Sequence, residues 1–507
     1  MSKSLSRSVV LTTAVAVSVS AALLPAGAAS AHGAPLGTSY YVDCQGGDDR
    51  ASGAGPTAAW RSLAKASEHV YGAGDRLLLR RGGSCAGVLA PAGSGAAGAP
   101  VRIDAYGLGA KPRIEGGGAR AAVRLVDTEQ WEIRNLDISN SGAPTTTERR
   151  AGILVQLTDY GVARHFVVDE VDVHDVNGAD FKDPDPSGGI LFTVLGSSVP
   201  TRFDSVTVED STVRHVDRTG IATASTWGRR PEHPSGPGTS WEPQTGVAVR
   251  RNTVQDVGGD GIVVQTAKGA RVEHNRVDGF NMRSSGYNAG VWAWNSDDVL
   301  YQYNEVSGGH GTFDSMAFDF DGGNNRNVYQ YNYSHDNEGG FLLVCNGAGM
   351  TTRGSRFHDN VSIDDHNTMA PYGVISAACA STTDTQIYRN TIVTDRADTA
   401  LVSNDGRTGV TFRDNVFVGA PNGGSPIADT SSTFRHNLYW RTAQSLDTSA
   451  IDADPLLRSA HPAEARDTML RPGSPARGEG TVTGDGVTRD FFGHRIGTRR
   501  NLGADQS

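Results

Sequence analysis

From residue 247 onward, eight segments repeat one pattern: VAVRRNTV, ARVEHNRV, VLYQYNEV, NVYQYNYS, SRFHDNVS, TQIYRNTI, VTFRDNVF and STFRHNLY. Each carries an asparagine at the same place: Asn252, Asn275, Asn304, Asn332, Asn360, Asn390, Asn415 and Asn437. The intervals are 23, 29, 28, 28, 30, 25 and 22 residues. Three residues before each asparagine stands an apolar or aromatic residue: Val249, Val272, Tyr301, Tyr329, Phe357, Ile387, Phe412 and Phe434. A repeat of this length means a solenoid. β-branched and aromatic residues alternate with period two, which disfavours helical repeats. The pattern therefore predicts an all-β, single-stranded right-handed parallel β-helix, with three short strands per coil. Each strand pairs with its equivalent one coil on, about 4.8 Å away. The apolar residues then stack into a core, and the asparagines into an amide ladder at a tight turn, where Asn tolerates the backbone. Unequal intervals put loops of varying length on one face, where a solenoid builds its binding surface.

The first strands of successive coils read GIVVQT, GVWAWN, SMAFDFD, GFLLVCN and YGVISAA, and WEIRNLDI, FVVDEVDV and DSVTVEDSTV mark fainter earlier coils. At the N-terminal end, SYYVDC and PTAAWRSLAKASEHV predict a strand and an amphipathic helix that caps the open apolar end. DADPLL, LRPGSPARGEG and RNLGADQ predict an irregular C-terminal cap, and the Pro- and Gly-rich stretch 226–245 a long loop folded over one face. The expected divisions are a signal peptide at 1–31, an N-terminal cap and first coil at 32–100, the β-helix at 101–455 and a C-terminal capping segment at 456–507. The signal rests on Lys3 and Arg7, the run VVLTTAVAVSVSAALL and the Ala29-Ser30-Ala31 cleavage site, and it predicts a secreted, extracellular protein. Four cysteines fit that compartment, with Cys44 expected to pair with Cys85 and Cys345 with Cys379. A net charge of −10 gives no footprint for nucleic acid, and no second long apolar run offers a membrane span.

Aligning the first strands makes Ile262, Val291, Met316, Phe341 and Val374 one inward column, with Val264, Ala293, Phe318, Leu343 and Ser376 two residues on. Gln265, Trp292, Trp294, Asp319, Asp321 and Asn346 then face outward, with Trp294 expected beside Asp319. Aromatic faces stack on sugar rings, and paired carboxylates suit acid/base work on a glycosidic bond. Asp319 and Asp321 are the expected acid/base pair, with Glu338 and Asp314 as further catalytic candidates. Trp292, Trp294, Gln265, Asn346, His310 and Arg326 are the expected substrate contacts. Residues i and i+2 of a strand stand about 6.7 Å apart, which leans toward the inverting spacing of about 6.5–9.5 Å. In a competing reading Asp314, Asp319, Asp321, Asp297 and Asp298 hold calcium.

A family likeness accompanies these residues. YYVDCQGGDDRASGAGPTAAWRSLAKA, GDRLLLRRGG and PVRIDAYG resemble the N-terminal cap of secreted β-helix carbohydrate-active enzymes of the pectate-lyase-like superfamily. AGVWAWNSDDVLYQYNEVSGG and FDFDGGNNRNVYQYNYSHDNEGGFLLVC resemble the central coils of one glycoside hydrolase group within it, and DPLL, PGSPARGEG and NLGADQ its usual ending. The polygalacturonase order, an Asp pair one coil before Gly-His-Gly, is not matched, because GGHG precedes FDFD here. The resemblance implies a secreted, monomeric glycoside hydrolase acting on a polysaccharide or oligosaccharide, with no cofactor and no metal. Two alternatives stand beside it. One is a calcium-assisted polysaccharide lyase acting on a uronic-acid polymer, with Lys268 or Arg326 as base. The other is a non-catalytic glycan-binding surface protein.

Overall fold

The computed structural model describes residues 37–507, apart from 183, 235, 237, 348, 368, 370, 443–445, 483 and 485. The expected signal peptide lies outside the described residues. The chain winds into a right-handed parallel β-helix whose coils contribute one strand to each of three long parallel sheets. The first sheet runs from Ser39–Val42 to Thr433–Arg435, the second from Ser84–Ala86 to Ile451–Asp452, and the third from Ala121–Val126 to Ile427–Ala428. Sheet pairing thus begins at Ser39, inside the stretch read from sequence as the cap.

The asparagine ladder holds at all eight positions. Each Asn Oδ1 from Asn275 to Asn437 accepts from the backbone N–H and the Nδ2 of the asparagine one coil earlier, at 2.8–3.1 Å. Each Nδ2 also donates to a backbone carbonyl, as Asn332 does to Tyr301 O at 3.1 Å. Asp447 ends the ladder by accepting from Asn437 N and Nδ2. The left-handed backbone at this corner belongs to the residue before each asparagine, such as Tyr303 (φ 56°) and Tyr331 (φ 57°), rather than to the asparagine itself. The aromatic column stacks inside, with the Tyr301 and Tyr329 rings 4.2 Å apart and Phe412 and Phe434 4.8 Å apart. Where the second sheet turns into the third, the coils approach too closely for a side chain: a Cβ on Gly290 would lie 2.5 Å from Val306 Cγ1 and 2.8 Å from Ala317 O.

The N-terminal helix, Leu63–Glu68, is capped by Ser62 Oγ accepting from Lys65 N, and it buries Leu63 and Ala66 in the main core. The C-terminal segment is irregular. Its Leu457, Leu470, Ala476 and Leu502 pack on Val393, Val416, Val418 and Leu438, the outer face of the second sheet, so it lines the flank of the solenoid. Both disulfides form as expected, Cys44–Cys85 with Cα atoms 5.3 Å apart and Cys345–Cys379 with Cα atoms 5.1 Å apart.

The third sheet corrects the predicted register. Val291 pairs with Phe318, Phe318 with Leu342, and Leu342 with Ile375, so Phe318 replaces Met316 in the inward column, Leu342 replaces Phe341, and Ile375 replaces Val374. The outward column runs Val263, Trp292, Asp319, Leu343, Ser376. The Phe318 shift is of two residues and keeps the face; the change of face comes at the next corner. Gly340 takes φ 103°, Phe341 packs into the core before the strand begins, and the alternation restarts one residue later. A one-residue slip moves every following side chain to the other face. Leu343 and Ser376, expected inside, therefore face outward.

Candidate active site on the third sheet

The alternation of FDFD does what period two requires: Phe318 and Phe320 enter the core, and Asp319 faces out. Trp292, not Trp294, is its direct neighbour one coil earlier, while Trp294 pairs with Gln265. Outward does not mean exposed here. Loops between the second and third sheets, at 177–182, 184–187, 279–290 and 308–317, flank this face, and Trp292 is only 4% exposed. Its Nε1 donates to Asp260 Oδ1 at 2.9 Å, and the Lys182 ammonium lies 4.5 Å from the ring centroid. Trp292 is thus a buried wall and not the open platform expected from sequence. Trp294 remains partly exposed.

Asp319 is 6% exposed, and its Oδ1 is buried without a hydrogen-bond partner among the described residues. Burial, reinforced by the nearby charges of Asp321 and Asp314, pushes its carboxyl well above the usual carboxylate range. From inside the core, the Tyr329 hydroxyl donates to Asp319 O at 2.8 Å and fixes the backbone there. Asp314 and Asp321 flank this group and are partly exposed. Asp314 Oδ1 accepts from Ser315 N at 2.7 Å and Asn288 N at 3.2 Å, and burial raises its pKa too. Asp321 Oδ1 accepts from Gly322 N at 2.6 Å. Three carboxyls of one coil thus share one patch.

A polar network surrounds them. Asp260 Oδ2 accepts from Arg218 Nη1 at 3.0 Å, Arg218 Nε reaches Asp180 at 2.8 Å, and Lys182 Nζ stands 3.6 Å from Asp260 Oδ1. Lys182 also lowers the pKa of both Asp314 and Asp319, against the larger effect of burial. On the other rim, Arg230 and Trp241, from the stretch expected to form a long loop, reach the third sheet. Arg230 reaches Asn295 Oδ1, Gly323 O and Asp297, and it stacks on Trp241.

The remaining candidates lie apart from the carboxyls or are engaged elsewhere. Glu338 stands 2.6 Å from His310 Nδ1 and accepts from Gly311 N; both side chains are half exposed at the edge of the 308–317 loop. Asn346, buried, donates to Met350 O and Ser381 O and holds a turn. Gln265 is buried. Arg326 makes a two-point pair with Asp298, at 2.7 and 2.9 Å. Of the expected calcium set, Asp297 pairs with Arg230 and Asp298 with Arg326. Lys182 and the exposed rings of Tyr287 and Phe313 were missed. Lys182 sits in a faint early coil over 100 residues upstream, and no local pattern ties it to the aspartates.

Known proteins resemble this one in fold and sequence. Residues 189–392 match the family described as right handed beta helix region. The lacto-N-biosidase of Bifidobacterium longum subsp. longum is 27% identical over 594 aligned positions, covering 93% of this chain and 36% of that protein. The chain thus spans little more than a third of the length of this curated relative. The crystal structure of a GH136 lacto-N-biosidase from Eubacterium ramulus matches with TM-score 0.65 at 26% identity, over 79% of this chain and 67% of that one. The complex of XylC with xylose matches with TM-score 0.53 at 11% identity, over 92% and 98% of the two chains, which is a likeness of fold.

Proposed function

We propose that this chain is a secreted glycoside hydrolase that cleaves an oligosaccharide or polysaccharide with the carboxyls of Asp314, Asp319 and Asp321. The observation that carries the reading is the buried carboxyl of Asp319, its Oδ1 without a hydrogen-bond partner among the described residues, between two partly exposed ones. Like-charged carboxyls at one site push each other's pKa apart, which is how one patch supplies both an acid and a base at neutral pH. Asp314, raised by burial, serves as the acid that protonates the glycosidic oxygen. Asp321 acts on the anomeric carbon, directly or through water. Asp319 keeps a proton at the centre of the cluster and limits the charge that Asp321 and Asp314 must share. Trp294 offers a stacking face beside them. This chemistry calls on no metal.

The similarity to lacto-N-biosidases supports the reading and makes lacto-N-biosides the first substrates to assay. Export fits the 1–31 signal pattern and both disulfides, and among the described residues no helix is long and apolar enough to cross a membrane. The test is a glycan panel that includes lacto-N-biosides, assayed for new reducing ends. New reducing ends without unsaturated products support hydrolysis; unsaturated products that vanish with chelator would instead support a lyase.

A further inference from the structure

Two exposed aromatic rings beside the carboxyls pack on each other. Tyr287 is 58% exposed and Phe313 45%, and their rings meet at 4.8 Å with a 33° tilt. They come from loops of adjacent coils, and both loops are held. Asn281 Nδ2 lies 2.6–2.8 Å from His310 O, Thr312 Oγ1 and Ser315 Oγ, two of which it can serve at once, and Asn288 Nδ2 donates to Asn281 Oδ1 at 2.7 Å. Lys182 Nζ donates to Tyr287 O at 2.8 Å across 105 residues of chain. Large rings left in water on tethered loops offer apolar area at little ordering cost to whatever covers them.

Their position says what covers them. Phe313 directly precedes Asp314, and Asn288, next to Tyr287, donates its backbone N–H to Asp314 Oδ1. Asp321 lies past the other end of the strand Phe318–Phe320. The rings therefore stand on the Asp314 side of the patch, away from Asp321. An acid that protonates the glycosidic oxygen faces the departing sugar, so a ring lying beyond it belongs to the leaving group. We propose that Tyr287 and Phe313 form a stacking platform for the C–H-rich face of the pyranose that leaves. The proposal rests on the hydrolase reading above.

The test compares two substrates with one glycone: the glycan that the wild type cleaves best in the panel, and the glycosyl fluoride of that glycone, which has no ring to place on the platform. Tyr287→Ala and Phe313→Ala should each lower kcat/KM on the glycan about tenfold, mainly through KM, for the contact area removed. Both should stay within about twofold of wild type on the fluoride. Tyr287→Phe and Phe313→Tyr, which keep a ring, should retain activity on both. Equal losses on the two substrates, or none on either, would overturn the platform while leaving the hydrolase reading intact. A wild type that cleaves nothing in the panel would overturn both.

Discussion

Trp292 lies directly opposite Asp319 in adjacent parallel strands, yet its indole N–H is committed to Asp260 Oδ1 at 2.9 Å. The indole therefore offers the Asp319 carboxyl no donor, and Asp319 Oδ1 is buried without a partner among the described residues. A carboxylate in that position would be desolvated and unpaired, and the neutral acid is favoured.

The first prediction concerns stability against pH. Asp319 binds its proton more tightly folded than unfolded, so above the ordinary carboxylate pKa the native state holds the extra proton. Stability from this group is full below that pKa and declines as pH rises toward the folded value. Asp319→Asn should remove this part of the decline. Urea denaturation of both proteins across the pH range above about 4 reads it directly. Parallel curves would mean that Asp319 is ionised in the folded protein.

The ladder predicts a structural cost far from the chemistry. Asn332→Ala takes the acceptor from Asn304 N and Nδ2 and the donor from Tyr301 O, all buried. Each buried group left unsatisfied costs about 1–3 kcal/mol. A loss of about 3 kcal/mol or more in a denaturant titration is expected. A loss below about 1 kcal/mol would show that neighbouring groups or water replace the asparagine.

The Cys345–Cys379 bond joins successive coils from the last residue of the strand Leu342–Cys345, which pairs with Phe318–Phe320. It closes a sequence separation of 34, for which chain entropy gives about 4 kcal/mol. The double variant Cys345→Ser/Cys379→Ser should lose stability on that scale and lose activity on mild heating before the wild type does. Unchanged melting would show that the coils hold this edge without the bond.

How far the sequence reveals this molecule differs from residue to residue. The ladder is legible because one side chain must both donate and accept at the same point of every coil, and asparagine does so. The left-handed residue before it is not legible: Tyr303, Arg389 and Asp414 share that conformation with no common chemistry. The third-sheet register departs first at Phe318, two residues past the expected Met316, and again after Gly340, where a corner outside the strand restarts the alternation. The exposure of Trp292 fails because period two gives direction, not cover, and the cover comes from loops in other coils. Asp314 is legible as a carboxylate near the site. The sealing of Asp319 is not, because it depends on Trp292 one coil earlier and on burial beneath folded loops.

The account turns on the two partly exposed carboxyls. Asp314→Asn and Asp321→Asn keep volume and remove proton transfer or attack. Turnover of the glycan cleaved by the wild type should fall about 10²–10⁴-fold in each, with thermal melts close to wild type. Reducing-end release at near wild-type rates by both variants would contradict the account and return these carboxyls to a structural role.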